Sequence, residues 1–243
     1  MKRWIGLVLS AAGAAGLILL VMTRMQWQLP KSVGSVATAR RRPATAPTPA
    51  GPVSFSDTDG MWVYGYSEAD KLSADAFRSD RVIDTTDTVH FWHPANSEGG
   101  DGYYPYVARN QSDQTNASHG WAVRAGELAM EGSPTGQYSI ARFTPKGSGT
   151  YSVEAVFEGI HFGLSTTDVH VLLNDRELFH AQIDGYGGDP AFHAVTGGTP
   201  SASYSAAVDL KNGDRLYFAV GTGANGTNTC DTTGLRVSVR AKE

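Results

Sequence analysis

From Trp62 to Arg240 the chain repeatedly alternates apolar and polar residues with a period of two. Thr150–Glu158 sets Tyr151, Val153, Ala155 and Phe157 on one side against Ser152, Glu154, Val156 and Glu158 on the other. The same spacing recurs at Val169, Val171 and Leu173, at Leu216, Phe218 and Val220, and at Leu235, Val237 and Val239. A period of two is that of a strand whose successive side chains point to opposite faces. About ten such segments occur in this region, and none carries the stripe of an amphipathic helix. Asn212-Gly213, between Ser203–Leu210 and Arg215–Val220, predicts a β-hairpin. Asn174-Asp175-Arg176 reads as a second, three-residue hairpin loop, which sets His170 directly opposite His180. These elements predict one antiparallel β-sandwich, most simply a jelly roll.

The first residues follow another pattern. Trp4–Met22 is an uninterrupted run of uncharged, mostly apolar positions, long enough as a helix to span roughly 28 Å of hydrocarbon. Trp4 and Trp27 bracket it where indole rings favour the membrane interface, and Gly13 and Gly16, among four alanines, permit close helix packing. Residues 1–27 are therefore expected to form one N-terminal transmembrane anchor. A cleaved signal peptide is the rival reading, although Ala37-Thr38-Ala39 lies far beyond the run for a cleavage site. Lys2 and Arg3 favour a cytoplasmic N-terminus, against Arg24 and Arg40–Arg42. Residues 28–52, with Pro43, Pro47, Pro49 and Pro52, read as an extended linker, and residues 53–243 as an exported domain.

Charge divides at the same boundary. The formal net charge of −4 over 243 residues conceals a basic N-terminal segment and an acidic domain. Residues 1–52 hold seven basic residues and no acid, leaving 13 basic and 24 acidic residues beyond them. Such a domain repels a phosphate backbone, which argues against nucleic acid as a partner. Cys230 is the single cysteine, so no internal disulfide and no cysteine-based zinc site can form. The segment Trp4–Trp27 has no His, Asp, Glu or Asn, and so offers no usual axial ligand to a pigment. No GxSxG, HExxH, CxxC or P-loop occurs, and Gly221–Gly226 spells GxGxxG without the helix that a dinucleotide site requires. No catalytic residue and no cofactor is expected.

Two kinds of binding remain in view. Asp57 and Asp59, and Asp184 and Asp189, lie in Asp/Gly loops that could supply oxygen ligands to a structural calcium, or be ordinary turns. Trp92, Tyr103, Tyr104, Tyr106 and Trp121, with Phe91, His90 and His93, form the richest aromatic stretch. Such rings suit core packing, a protein contact or stacking on a sugar.

The runs Thr167–Asn174, Leu178-Phe179, Asn212–Asp214, Phe218–Gly221 and Asp231–Leu235, preceded by Pro105–Asn110 and Ser139–Pro145, carry a resemblance. They look like the jelly-roll, carbohydrate-binding-module-like domains of bacterial surface and secreted proteins, over residues 103–240. In such modules Asp-rich strand ends can hold calcium and exposed aromatics can stack on sugars. The whole arrangement is also similar to the extra single-span subunits of photosynthetic reaction-centre and light-harvesting supercomplexes. That likeness implies a non-catalytic accessory subunit of a bacterial inner-membrane complex. It would be single-pass, with a cytoplasmic N-terminus and a periplasmic or extracellular sandwich, and its partners would be integral-membrane subunits and the lipid bilayer. The alternative is a surface-anchored module with a glycan as its partner.

Overall fold

A computed structural model of the chain describes residues 61–86, 88–95 and 104–242. Among them the chain forms fourteen strands: β1 (Trp62–Ser67), β2 (Phe77–Arg78), β3 (Val82–Thr86), β4 (Val89–His93), β5 (Tyr106–Asn110), β6 (Leu128–Glu131), β7 (Ser139–Phe143), β8 (Gly149–Gly159), β9 (Ser165–Leu173), β10 (Arg176–Tyr186), β11 (Thr196–Thr199), β12 (Ser201–Leu210), β13 (Leu216–Val220) and β14 (Thr233–Ala241). They build two seven-stranded sheets, in the orders β11-β10-β9-β13-β7-β1-β2 and β12-β8-β14-β6-β5-β4-β3. Every pairing is antiparallel. The domain is all-β and sandwich-like, consistent with a jelly roll. No helix among the described residues is long and apolar enough to cross a membrane. The anchor expected at Trp4–Met22, with Trp4, Gly13, Gly16 and Trp27, lies outside the described residues, as do Asp57, Asp59 and Tyr103.

The core lies between the sheets. Tyr151, Val153, Ala155 and Phe157 of β8 point into it as their alternation predicts, meeting Val169 and Val171 of β9 and Leu216, Phe218 and Val220 of β13. β13 is buried along its whole length because β9 and β7 flank it and both faces are covered. Its other face, Tyr217 and Ala219, packs with Ile140 and Leu172 on the outside of the first sheet.

Asn212-Gly213 does not make the predicted hairpin. The turn itself forms, with Gly213 at φ 93° and the Asp214 amide donating to the Lys211 carbonyl at 3.0 Å. The strands on either side, however, belong to different sheets, β12 pairing with β8 and β13 with β9 and β7. A local turn sets chain reversal, whereas the burial demanded by Leu216–Val220 draws that strand into the middle of the opposite sheet.

The second predicted hairpin is real, but its loop is one residue shorter. Asn174 and Asp175 form the turn, Asn174 at φ 54°, and Arg176 already pairs with Leu173. A β-bulge between Glu177 and Phe179 then shifts the register, so His170 faces His180 as expected, by a different route.

Glu158, on the same side of the alternation as Glu154, is 3% exposed. Arg124 and Arg236 both pair with its carboxylate, Arg236 Nη2 at 3.1 Å. Its neighbour on that face, Glu154, stays exposed.

Candidate functional site

The outer face of the second sheet carries its own apolar cluster, built from Val89, Phe91, Tyr106, Ala108, Trp121, Val123, Ala129 and Ile160. The register explains a recess there. Phe91 pairs with Ala108, Ala108 with Ala129, and Ala129 with Gly234, so three small residues follow one large ring across four strands. The segment between β5 and β6 folds back over this face. Its Ala122 amide donates to the Ile160 carbonyl at 3.1 Å, and the Phe162 amide donates to the Gly120 carbonyl at 3.0 Å. This brings Trp121 and His161 alongside each other in an isolated antiparallel bridge.

The result is a cavity of about 380 Å³ lined by Thr86, Phe91, Tyr104, Tyr106, His119, Trp121, Glu131, His161, Cys230 and Thr232. That volume suits a small organic ligand. The rings form a connected wall. Phe91 meets Tyr106 edge-on at 5.4 Å and Trp121 edge-on at 6.3 Å, Tyr104 tilts over Tyr106 at 5.7 Å, and His119 stacks on Trp121 at 5.1 Å.

Polar groups converge at one point in that wall. Glu131 Oε2 accepts from the Tyr106 hydroxyl at 3.0 Å and from Thr232 Oγ1 at 2.6 Å, and those two hydroxyls lie 2.9 Å apart. Burial pushes the Glu131 carboxyl up to about 8; the two hydroxyl bonds work against that rise and the charge of Asp231 adds to it. Asp231, itself buried, is pushed up to about 6 by desolvation, while the amide and hydroxyl of Thr166 bond to its Oδ1 at 2.7 and 3.0 Å. Burial lowers His161, whose Nδ1 accepts the Gly163 amide at 2.9 Å, and raises the Cys230 thiol.

Of the residues expected to form a binding surface, the structure brings Tyr104, Tyr106 and Trp121 together at the cavity. Trp92 is not with them. It is 3% exposed, points into the core between the sheets and packs on Tyr64 with ring centroids 4.7 Å apart. Strand alternation is the reason, because Phe91 and Trp92 are adjacent in β4 and must face opposite ways. Glu131, Thr232, His119, His161, Cys230 and Thr86 were not anticipated. Glu131 had one visible sign, an acid ending the short apolar run Leu128–Met130.

Asp184 and Asp189, the described half of the expected calcium ligands, have separate surroundings. Asp184 is exposed in β10, paired with Thr166 and Thr199. Asp189 Oδ1 accepts the Ala191 amide at 3.0 Å and Oδ2 accepts from Thr115 Oγ1 at 2.7 Å, bonds that hold its carboxyl below the usual range. No group of three or more His, Cys, Asp or Glu able to hold a metal occurs among the described residues. The glycine-rich Gly221–Gly226 segment is a loop leading to a strand, and its Gly223 amide donates to Asp168 Oδ1 at 2.7 Å.

No protein-family model matches the chain, and no curated protein matches it. Among solved structures it is similar to a family 4 carbohydrate-binding module, at 13% identity and a TM-score of 0.29, over 53% of this chain and 78% of that one. A family 35 carbohydrate-binding module from Clostridium thermocellum aligns at 11% identity and a TM-score of 0.27, over 65% and 87% of the two chains. A β-glucosidase from Kluyveromyces marxianus aligns at 17% identity and a TM-score of 0.25, over 48% of this chain and 12% of the enzyme. Carbohydrate-binding modules of families 4, 6 and 35 are among the solved structures it is similar to. The likeness to single-span photosynthetic subunits finds no support in them.

Proposed function

We propose that the domain is a non-catalytic carbohydrate-binding module whose ligand seats in the aromatic cavity on the outer face of the second sheet. One observation carries this reading: a recess of about 380 Å³ joins four aromatic rings to a buried carboxyl and two hydroxyls. Sugars present apolar C–H faces edged with hydroxyls, so a site for them needs ring faces beside fixed donors and acceptors. Tyr106 supplies both, its ring in the wall and its hydroxyl on Glu131. On the same proposal, residues 1–52 serve as anchor and spacer and hold the module outside a bacterial inner membrane.

Screening the full chain against a glycan array, followed by tryptophan-fluorescence titration of the best binder, tests this. Binding is expected to weaken about tenfold in Tyr104→Ala, which removes a half-buried ring from the cavity wall while leaving the sheets intact. An array without a bound glycan, or a bound glycan indifferent to Tyr104→Ala, overturns the assignment.

A further inference from the structure

The cavity is unbalanced in charge. Its lining contains one carboxyl group, Glu131, and neither lysine nor arginine among the described residues. Three other buried acids of this domain have cationic partners. Glu158 pairs with Arg124 and Arg236, Glu127 lies 3.5 Å from Arg124, and Asp168 bonds to His170 at 2.8 Å. Glu131, 2% exposed, has the Tyr106 and Thr232 hydroxyls instead, which orient a carboxylate without neutralising it. Asp231, buried next to Thr232, has Thr166 and likewise no basic residue bonded to it among the described residues. A buried carboxylate is costly until a positive charge reaches it. Four rings line the same cavity, and ring faces attract cations through their quadrupoles.

Resting on the reading of this cavity as a ligand site, we propose that it receives an ammonium group, with Glu131 as counter-ion and Phe91, Tyr104, Tyr106 and Trp121 as an aromatic cage. For a carbohydrate module the ligand is then a sugar bearing a free, protonated amine. A neutral or acetylated sugar brings no charge to balance the Glu131 carboxylate, and a uronic acid or phosphate brings a negative one that opposes its ionisation. The same chemistry would accept a quaternary amine that is not part of a sugar, and the test separates the two sources.

Without a cation, burial keeps Glu131 protonated until about pH 8, so taking up a permanent cation displaces that proton. The groups facing Glu131 do not mask this. Tyr106, from β5, is raised well above its ordinary value; Thr232 does not titrate; and Asp231 ionises first, at about 6. Cys230 is raised, His161 is lowered, and His119 lies at the Trp121 side of the wall.

The experiment titrates the full chain with a chitosan tetrasaccharide, its fully N-acetylated counterpart, a cellotetraose and tetramethylammonium, reading tryptophan fluorescence. The free-amine sugar is expected to bind at least tenfold more tightly than the other two sugars, and Glu131→Gln to abolish the difference. Tetramethylammonium is expected to bind about tenfold more tightly to the wild type as pH rises from roughly 6.5 to 9, a measurement that needs no variant. Equal affinity for the neutral sugars, with a flat tetramethylammonium profile, overturns the ammonium site and leaves the carbohydrate reading standing. A rising profile with no sugar bound keeps the ammonium site and overturns the carbohydrate reading. Failure of all four ligands to bind overturns both.

Discussion

His170 and His180 stack across β9 and β10 with ring centroids 4.7 Å apart and planes 12° from parallel. Only one of the two is fixed by carboxylates. His170 Nε2 meets Asp168 Oδ2 and Nδ1 meets Glu177 Oε2, each at 2.8 Å, and Tyr138 stands edge-on at 5.5 Å. His180 lies exposed, with Gln182 at 3.4 Å. An imidazole with a carboxylate on each nitrogen is built to hold a proton.

Stability should therefore depend on pH through His170. Burial works against its charge, but the bonds to Asp168 and Glu177 prevail and the imidazole is held above its ordinary value. The contribution is fully present below about pH 6.5, the unfolded value, and is lost as pH climbs through the higher folded one. Urea midpoints for the wild type are expected to fall between pH 6 and 9, and those for His170→Gln to change less. Parallel curves would show that this imidazole is not charged in the fold.

Glu158 sits between two arginines whose side chains are 24% and 34% exposed. Glu158→Gln leaves Arg124 and Arg236 facing each other without the carboxylate. It is expected to destabilise the domain by about 3 kcal/mol, the low end for breaking a buried pair, because both guanidiniums can reach water. Chemical denaturation measures this. Arg236→Leu in the Glu158→Gln background should cost less than additivity predicts.

Trp92 and Trp121 should respond in opposite ways to ligand and to denaturant. Trp92→Ala opens a cavity between the sheets and is expected to cost about 3–5 kcal/mol, with ligand affinity unchanged in the protein that remains folded. Ligand should perturb the fluorescence of Trp121, and the change should persist in Trp92→Phe. Loss of binding in folded Trp92→Phe would place Trp92 at the site after all.

Cys230 lines the cavity half-buried, its thiol raised by desolvation and by the charges of Asp231 and Glu131. Thiolate is the reactive form, so alkylation by iodoacetamide should be slower than that of a free cysteine near neutrality and should need a more alkaline solution to accelerate. A bound ligand should slow it further, which mass spectrometry of the intact chain can follow.

The alternation of β8 was enough to place Tyr151, Val153, Ala155 and Phe157 in the core, because a strand permits only two faces and one of them must be dry. The same local logic located the β9–β10 hairpin and the opposition of His170 to His180. It failed at Asn212-Gly213, where the turn is as expected and the strand partners are not. A turn is specified by the conformational preferences of a few adjacent residues, whereas a strand's partner depends on what the rest of the chain leaves to be covered.

The candidate site divides along the same line. Its aromatic side was visible in the stretch from Phe91 to Trp121, since ring residues are distinctive wherever they fall. Which rings face the cavity was decided by the register of β4 against β5, and Trp92 lost its place by one position along the strand. The polar side was invisible. Tyr106, Glu131 and Thr232 are separated by 25 and 101 residues and meet only because β5, β6 and the approach to β14 lie side by side. By itself the sequence determined the strand class, the faces of its regular strands and the acidity of the domain, all set by neighbours along the chain. The tertiary structure alone decided that the buried carboxyl of Glu131 would share a cavity with four rings, because that juxtaposition depends on contacts between residues that no local pattern relates.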